Sequence, residues 1–184
     1  VTAVGAGDAT ISVADPTQPS VVSASAMVHV EAPAPTPKAG VWKWGARGWW
    51  YRYADGSYPA DATLVIDGVT YRFDESGYMR TGWVKDRGVW YYHNASGAQV
   101  SGWVLSGVSW YYLDPGTGAM ATGWVQVGST WYYLSPATGA MHTGWLQEGG
   151  HWYYLQSGSG AMATGWLRIW GTWYHFADNG QLIS

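Results

Sequence analysis

The chain has 184 residues, with 15 Trp and 14 Tyr against 2 Phe, 26 Gly, no cysteine, and a formal net charge of -3. Its 9 basic residues are scattered, which argues against a phosphate-rich nucleic-acid partner. No apolar run reaches the roughly 18 residues of a membrane-spanning helix, no disulfide framework is possible, and no Gly-X-Y period marks a collagen.

Residues 1–32 hold no aromatic ring and are dominated by Ala, Val, Ser and Thr. "ATISV" and "SAMVHV" alternate as strands and are linked by a polar turn containing proline. They resemble the last two strands of a bacterial Ig-like (group 2) domain, which implies that 1–32 is the tail of a truncated domain. "APAPTPKAG" comes next, and 33–40 reads as a stiff proline-rich linker. The chain opens on Val1 with no visible signal peptide, so it reads as a mature or excised fragment.

Residues 41–81 look like a degenerate version of the repeats that begin at residue 82. "GVTYRFDESGYM" places Thr70 and Tyr71 in register with a later series, and "GWWYRYADGSY" places Trp50 and Tyr51 one step earlier. Ala62 and Thr63 stand where a Gly-Trp pair is expected, so this stretch reads as lacking the first tryptophan of the pattern. Atypical end units are what a stacked array needs, because each has a neighbour on one side only.

From residue 82 the pattern is plain. Gly-Trp pairs end at Trp83, Trp103, Trp124, Trp145 and Trp166, at intervals of 20 and then 21 three times. Seven residues after each comes Trp90, Trp110, Trp131, Trp152 or Trp173, opening Trp-Tyr-Tyr in all but the last copy, which reads "WYH". Within a copy, "GWVKDRGVWYYH" predicts a β-hairpin. Gly88, Gly107, Gly128, Gly149 and Gly171 mark the turn, where positive φ is required. Alternation along the second strand puts Trp131 and Tyr133 on one face and Tyr132 on the other. A lone two-stranded hairpin cannot bury a core. Stacking of successive hairpins is therefore expected: an all-β solenoid with aromatic rings between its units.

These residues carry a specific resemblance. Gly-Trp, Trp-Tyr-Tyr at plus seven and Gly-Ala-Met, repeated near every 20 residues, closely resemble the cell-wall-binding, or choline-binding, repeat of Gram-positive surface proteins. The resemblance is strong over 82–184, read as five repeats, and weak over 41–81, read as degenerate capping repeats. It implies hairpins wound into a left-handed superhelix, with the trimethylammonium of choline on teichoic acid held among rings of neighbouring repeats. It also implies a secreted, cell-wall-attached location. Carried over residue by residue, the walls are the Gly-Trp tryptophan, the tryptophan seven later, and a tyrosine of the next repeat. That gives Trp83, Trp90 and Tyr112; Trp103, Trp110 and Tyr133; and Trp124, Trp131 and Tyr154, with Tyr111, Tyr132 and Tyr153 as alternative third walls. Met120, Met141 and Met162 border these sites. Three departures stand out. Val100 replaces the methionine before Trp103. His175 replaces a tyrosine and deprives Trp145 and Trp152 of a third wall. Trp166 and Trp173 have no following repeat. About three complete cages are expected.

The rings also have a plain packing role, and methionines are more often packing residues than ligand contacts. No HExxH spacing exists, the histidines fall at unrelated repeat positions, and the acids lie in turns. No catalytic residue, metal or cofactor is expected. Three functions remain: a non-catalytic module that anchors a secreted protein to the wall through choline or similar groups; a glucan-binding module stacking sugars on Trp, with Gln126, Gln147 and Gln156 as hydrogen-bonding partners; or a structural, self-associating array.

Overall fold

The computed structural model describes residues 7–14 and 22–30 by their backbone, and residues 39–184 with their side chains. Strands β1 (Gly7–Ala14) and β2 (Val22–Val30) pair antiparallel, with Gly7 opposite Val30. "ATISV" and "SAMVHV" fall inside them. Residues 33–38 of the expected linker lie outside the described residues.

From Gly40 onward strands come in consecutive pairs. These are β3 (Gly40–Gly45) with β4 (Gly48–Tyr53), β5 (Ala62–Ile66) with β6 (Val69–Phe73), and β7 (Gly82–Asp86) with β8 (Val89–His93). Next come β9 (Gly102–Ser106) with β10 (Ser109–Leu113), and β11 (Gly123–Val127) with β12 (Thr130–Leu134). The last are β13 (Gly144–Glu148) with β14 (His151–Leu155), and β15 (Gly165–Ile169) with β16 (Thr172–Phe176). Each pair is its own two-stranded antiparallel sheet, and the described residues contain no helix. The architecture is an all-β solenoid of stacked hairpins.

Two-residue turns close the hairpins, and their chemistry is set by the sequence. Arg87-Gly88 and Gly149-Gly150 have positive φ at both residues, the type I′ geometry that matches strand twist. Gly107 and Gly128 are positive at the first residue only, as in type II′. The sequence marked these glycines for that reason.

Register defines two faces. On one, Trp124 stands opposite Tyr133 and Gln126 opposite Trp131; on the other, Val125 stands opposite Tyr132 and Gly123 opposite Leu134. The tryptophan face of each hairpin packs on the other face of the next. Trp145, for example, lies against Tyr174 at 4.9 Å and Phe176 at 5.9 Å between ring centroids. Leu113, Leu134 and Leu155, each at the end of its second strand, are fully buried at 0 % exposure. These leucines fill the interior between units together with the buried rings of Tyr112, Tyr133 and Tyr154.

Backbone hydrogen bonds stitch the units together. The N–H groups of Met120, Met141 and Met162 donate to the carbonyls of Trp90, Trp110 and Trp131 at 2.8, 2.7 and 2.8 Å. Each methionine is also packed against a glycine of the following repeat: a Cβ placed on Gly139 or Gly160 would collide with the thioether of Met120 or Met141. The repeat's Gly-Ala-Met is therefore a joint. In the unit before Trp103, that joint residue is Gln99 rather than Val100. Gln99 bridges to His93 as Met120 bridges to Leu113, and its side chain fills the space beside Gly118. Gln99 stands four residues before Trp103, as Met120 does before Trp124; the shorter repeat loses its residue earlier, between His93 and Gln99, so Val100 is not the equivalent position.

Candidate functional site

Strand register puts the first and second tryptophan of each hairpin on one face, and at three joints the two indoles are in ring contact. Trp83 and Trp90 lie diagonally on one hairpin face, 6.4 Å apart and nearly perpendicular at 89°. The same holds for Trp103 with Trp110 at 6.5 Å and 87°, and for Trp145 with Trp152 at 6.2 Å and 86°. A third ring meets the first tryptophan from the next hairpin. It is Tyr111 against Trp83 at 4.7 Å, Tyr132 against Trp103 at 4.8 Å, and Tyr153 against Trp124 at 4.9 Å. Each joint thus has an indole with two steeply inclined rings around it, while Trp90, Trp110, Trp131 and Trp152 keep an exposed surface. Rings angled in this way present several electron-rich faces to one volume, the arrangement that attracts a cation lacking hydrogen-bond donors.

This corrects the third wall. Tyr112, Tyr133 and Tyr154 are buried and lie within their own repeats, against Trp103 at 5.1 Å, Trp124 at 5.2 Å and Trp145 at 5.2 Å. The cause is strand alternation. A residue that reaches back to the preceding hairpin must sit on the face away from its own tryptophans, and only the first tyrosine of each pair does so. For the same reason the His175 substitution removes no wall. Tyr174 meets Trp145, completing a corner with Trp152, while His175 stacks on Trp166 at 4.5 Å and 8°.

A further corner lies in the stretch read as degenerate. Trp42 stands opposite Tyr51 as Trp83 stands opposite Tyr92. The Met79 N–H donates to the Trp49 carbonyl, as Met120 does to Trp90. Trp49, not Trp50, therefore belongs to the second series, and Trp42, seven residues before it, belongs to the first. Trp42 contacts Tyr71 at 4.9 Å and Phe73 at 5.9 Å, the same pattern as Trp145 with Tyr174 and Phe176. The plus-seven spacing could have revealed it; reliance on Gly-Trp, which "GVWKWG" lacks, concealed it. Among the described residues five three-ring corners result: Trp42/Trp49/Tyr71, Trp83/Trp90/Tyr111, Trp103/Trp110/Tyr132, Trp124/Trp131/Tyr153 and Trp145/Trp152/Tyr174.

One joint is built differently. Between the hairpins of β5–β6 and β7–β8, Thr63 and Thr70 replace the tryptophans, and Arg72 takes the buried tyrosine's place. Its guanidinium carbon lies 3.6 Å from the Tyr91 ring centroid, and Arg72 is 3 % exposed. It donates to Asp86 Oδ2 at 3.4 Å, to His93 Nε2 at 3.2 Å and to the Gln99 side-chain oxygen. Since Arg can only donate, His93 Nε2 accepts and Nδ1–H donates to the Gly97 carbonyl at 2.8 Å. Burial, against the help of the Gly97 carbonyl, lowers the His93 pKa below 6.5, and the Arg72 charge adds to that. Here the protein places its own cation on the tyrosine face and closes the joint with a satisfied polar network. Elsewhere the polar handles are paired too: the Trp83 indole N–H donates to Ser106 Oγ at 3.0 Å, and the Tyr133 hydroxyl to Glu148 Oε2 at 3.1 Å. Burial and the Glu148 carboxylate together raise the Tyr133 pKa above 10.

Comparison with known proteins identifies the repeat and the fold. The choline-binding repeat family matches residues 81–122 and 121–164, and the cell wall binding repeat matches 164–182. Choline binding protein F from Streptococcus pneumoniae is similar, with a TM-score of 0.70 at 33% identity over 89% of this chain and 57% of that one. CbpJ from Streptococcus pneumoniae TIGR4 gives 0.72 at 32% identity, covering 97% of this chain and 65% of its own. The multimodular pneumococcal cell wall endolysin from phage Cp-1, complexed with choline, gives 0.51 at 38% identity over 76% of this chain and 41% of that one. The chain thus spans less than two thirds of the length of these proteins. Among curated proteins none matches. On its ring pattern, its stacked hairpins and these matches, the chain belongs to the choline-binding repeat family.

Proposed function

We propose that residues 39–184 are a non-catalytic module that anchors a secreted protein to the Gram-positive cell wall by gripping choline or similar quaternary ammonium groups in the inter-hairpin ring corners. The observation that carries this is the repetition at five joints of two tryptophans on one face met by a tyrosine of the next hairpin, with the two indoles in perpendicular ring contact at three of them. A trimethylammonium group has no N–H to donate, so polar side chains cannot hold it selectively, whereas ring faces attract it by about 0.5–1 kcal/mol each at exposed sites. One corner then binds weakly, and a polymer carrying many such groups engages several at once. The similar Cp-1 endolysin complexed with choline, and choline binding protein F in the presence of a peptidoglycan analogue, support this reading. Met120, Met141 and Met162 serve the corners indirectly, by fixing the spacing of the hairpins.

A second reading, sugar stacking, rests on Gln126 and Gln147, which stand directly opposite Trp131 and Trp152 on the ring-bearing face. Titration with choline, tetramethylammonium and an α-glucan, followed by Trp fluorescence, separates the two. Saturable responses to both cations without one to glucan support ammonium binding. A response to glucan alone overturns it in favour of sugar.

A further inference from the structure

The five corners share their rings but not their charge. The residue across the strand pair from the second tryptophan lies on the same face as both indoles. It is Trp44 opposite Trp49, Lys85 opposite Trp90, Leu105 opposite Trp110, Gln126 opposite Trp131 and Gln147 opposite Trp152. From the next hairpin, the last residue of its first strand faces the same joint: Ile66, Ser106, Val127, Glu148 and Ile169 in the same order. At these two positions, therefore, the Trp83 corner carries one ammonium, the Trp124 corner one carboxylate, and the other three no charge. Both groups are held near the rings. Lys85 Nζ lies 5.6 Å from the Trp90 centroid, and Glu148 accepts from the Tyr133 hydroxyl beside Trp124.

We infer that Lys85 and Glu148 are specificity-determining residues that grade otherwise equivalent corners for a cationic ligand, disfavouring the Trp83 site and favouring the Trp124 site. This rests on the ammonium-binding reading above. The Lys85 ammonium already engages the Trp90 face, so an incoming cation must displace it and bear its repulsion. The Glu148 carboxylate adds attraction to rings that bind weakly on their own. One unit charge about 6 Å away in a water-rich dielectric changes affinity by about three- to tenfold. Arg72 shows the limiting case, a resident cation fixed on Tyr91 by Asp86, which has the same strand position as Glu148. His151, directly opposite Glu148, and Tyr153, two residues further along the strand, are the other titratable side chains on that hairpin's facing side.

The test monitors the indole N–H resonances of Trp83, Trp90, Trp124 and Trp131 during titration with tetramethylammonium chloride at about pH 7.8 and constant ionic strength. The Trp124 pair is expected to saturate at about three- to tenfold lower concentration than the Trp83 pair. Lys85→Gln should lower the midpoint for Trp83 and Trp90 by about threefold or more, and Lys85→Arg should not. Glu148→Gln should raise the midpoint for Trp124 and Trp131. Both side chains are exposed, so neither change threatens folding. Equal midpoints that neither variant moves would overturn the inference while leaving ammonium binding intact. Absence of any indole response would overturn both.

Discussion

Side-chain direction decides which of two adjacent tyrosines does what. Tyr132 reaches Trp103 of the preceding hairpin, while Tyr133 is buried against Trp124 of its own. Tyr132→Ala should weaken the tetramethylammonium response of Trp103 with a small loss of stability. Tyr133→Ala should cost about 3 kcal/mol or more of folding free energy in urea denaturation, as large-to-small core changes do. Trp170 offers a gain. It is 89 % exposed with φ of 47° in a type I′ turn, a backbone region that suits Asn or Gly. Trp170→Asn should stabilise the chain by up to about 1 kcal/mol, read as an upward shift of the denaturation midpoint. His93 supplies a pH signature. Its folded-state pKa lies below its unfolded value of 6.5, so the unfolded chain binds more protons as pH falls through this window. Its contribution is complete above pH 6.5 and is lost as acidification proceeds toward the folded-state pKa. Melting between about pH 7.5 and 5 should show this decline, and His93→Leu, the residue found at Leu113 and Leu134, should flatten it.

At the level of the hairpin, the turn and the joint carry the design. The turns were legible because Gly88, Gly107 and Gly128 stand at fixed distances from the tryptophans, and positive φ there leaves glycine the natural choice. Stacking was legible because no isolated hairpin buries Leu113 or Leu134. The joints were not. That Met120 packs on Gly139 depends on contacts between residues of different repeats, which spacing alone does not rank, although the four-residue distance to Trp103 did mark Gln99 as its counterpart. The third wall was hidden for a related reason: alternation along one strand separates Tyr132 from Tyr133 without saying which face meets the neighbouring hairpin. Gly139 gives a direct check. Its φ is +76° and a Cβ would strike the Met120 thioether. Gly139→Ala should therefore destabilise by about 1–3 kcal/mol in urea unfolding. Gly128→Ala meets no nearby atom and bears only the backbone strain, so its cost should be smaller.

Across the whole molecule, five ring corners interrupted by one closed joint would make the proposed module multivalent. Stability and binding then share one origin, because the contacts that set hairpin spacing also set the angle between rings of neighbouring units. A surface densely coated with tethered choline should retain the protein with an apparent affinity about 10²–10⁴-fold above that of one free tetramethylammonium, and free choline should elute it. The central claim, that quaternary ammonium groups are held between hairpins by the two tryptophans and the first tyrosine of the next repeat, is tested most directly by a crystal structure at saturating choline. The choline nitrogen is expected within about 6 Å of the ring centroids of Trp103, Trp110 and Tyr132, and likewise at the Trp42, Trp124 and Trp145 corners. Choline bound away from these rings, or absent from them at saturation, would contradict it.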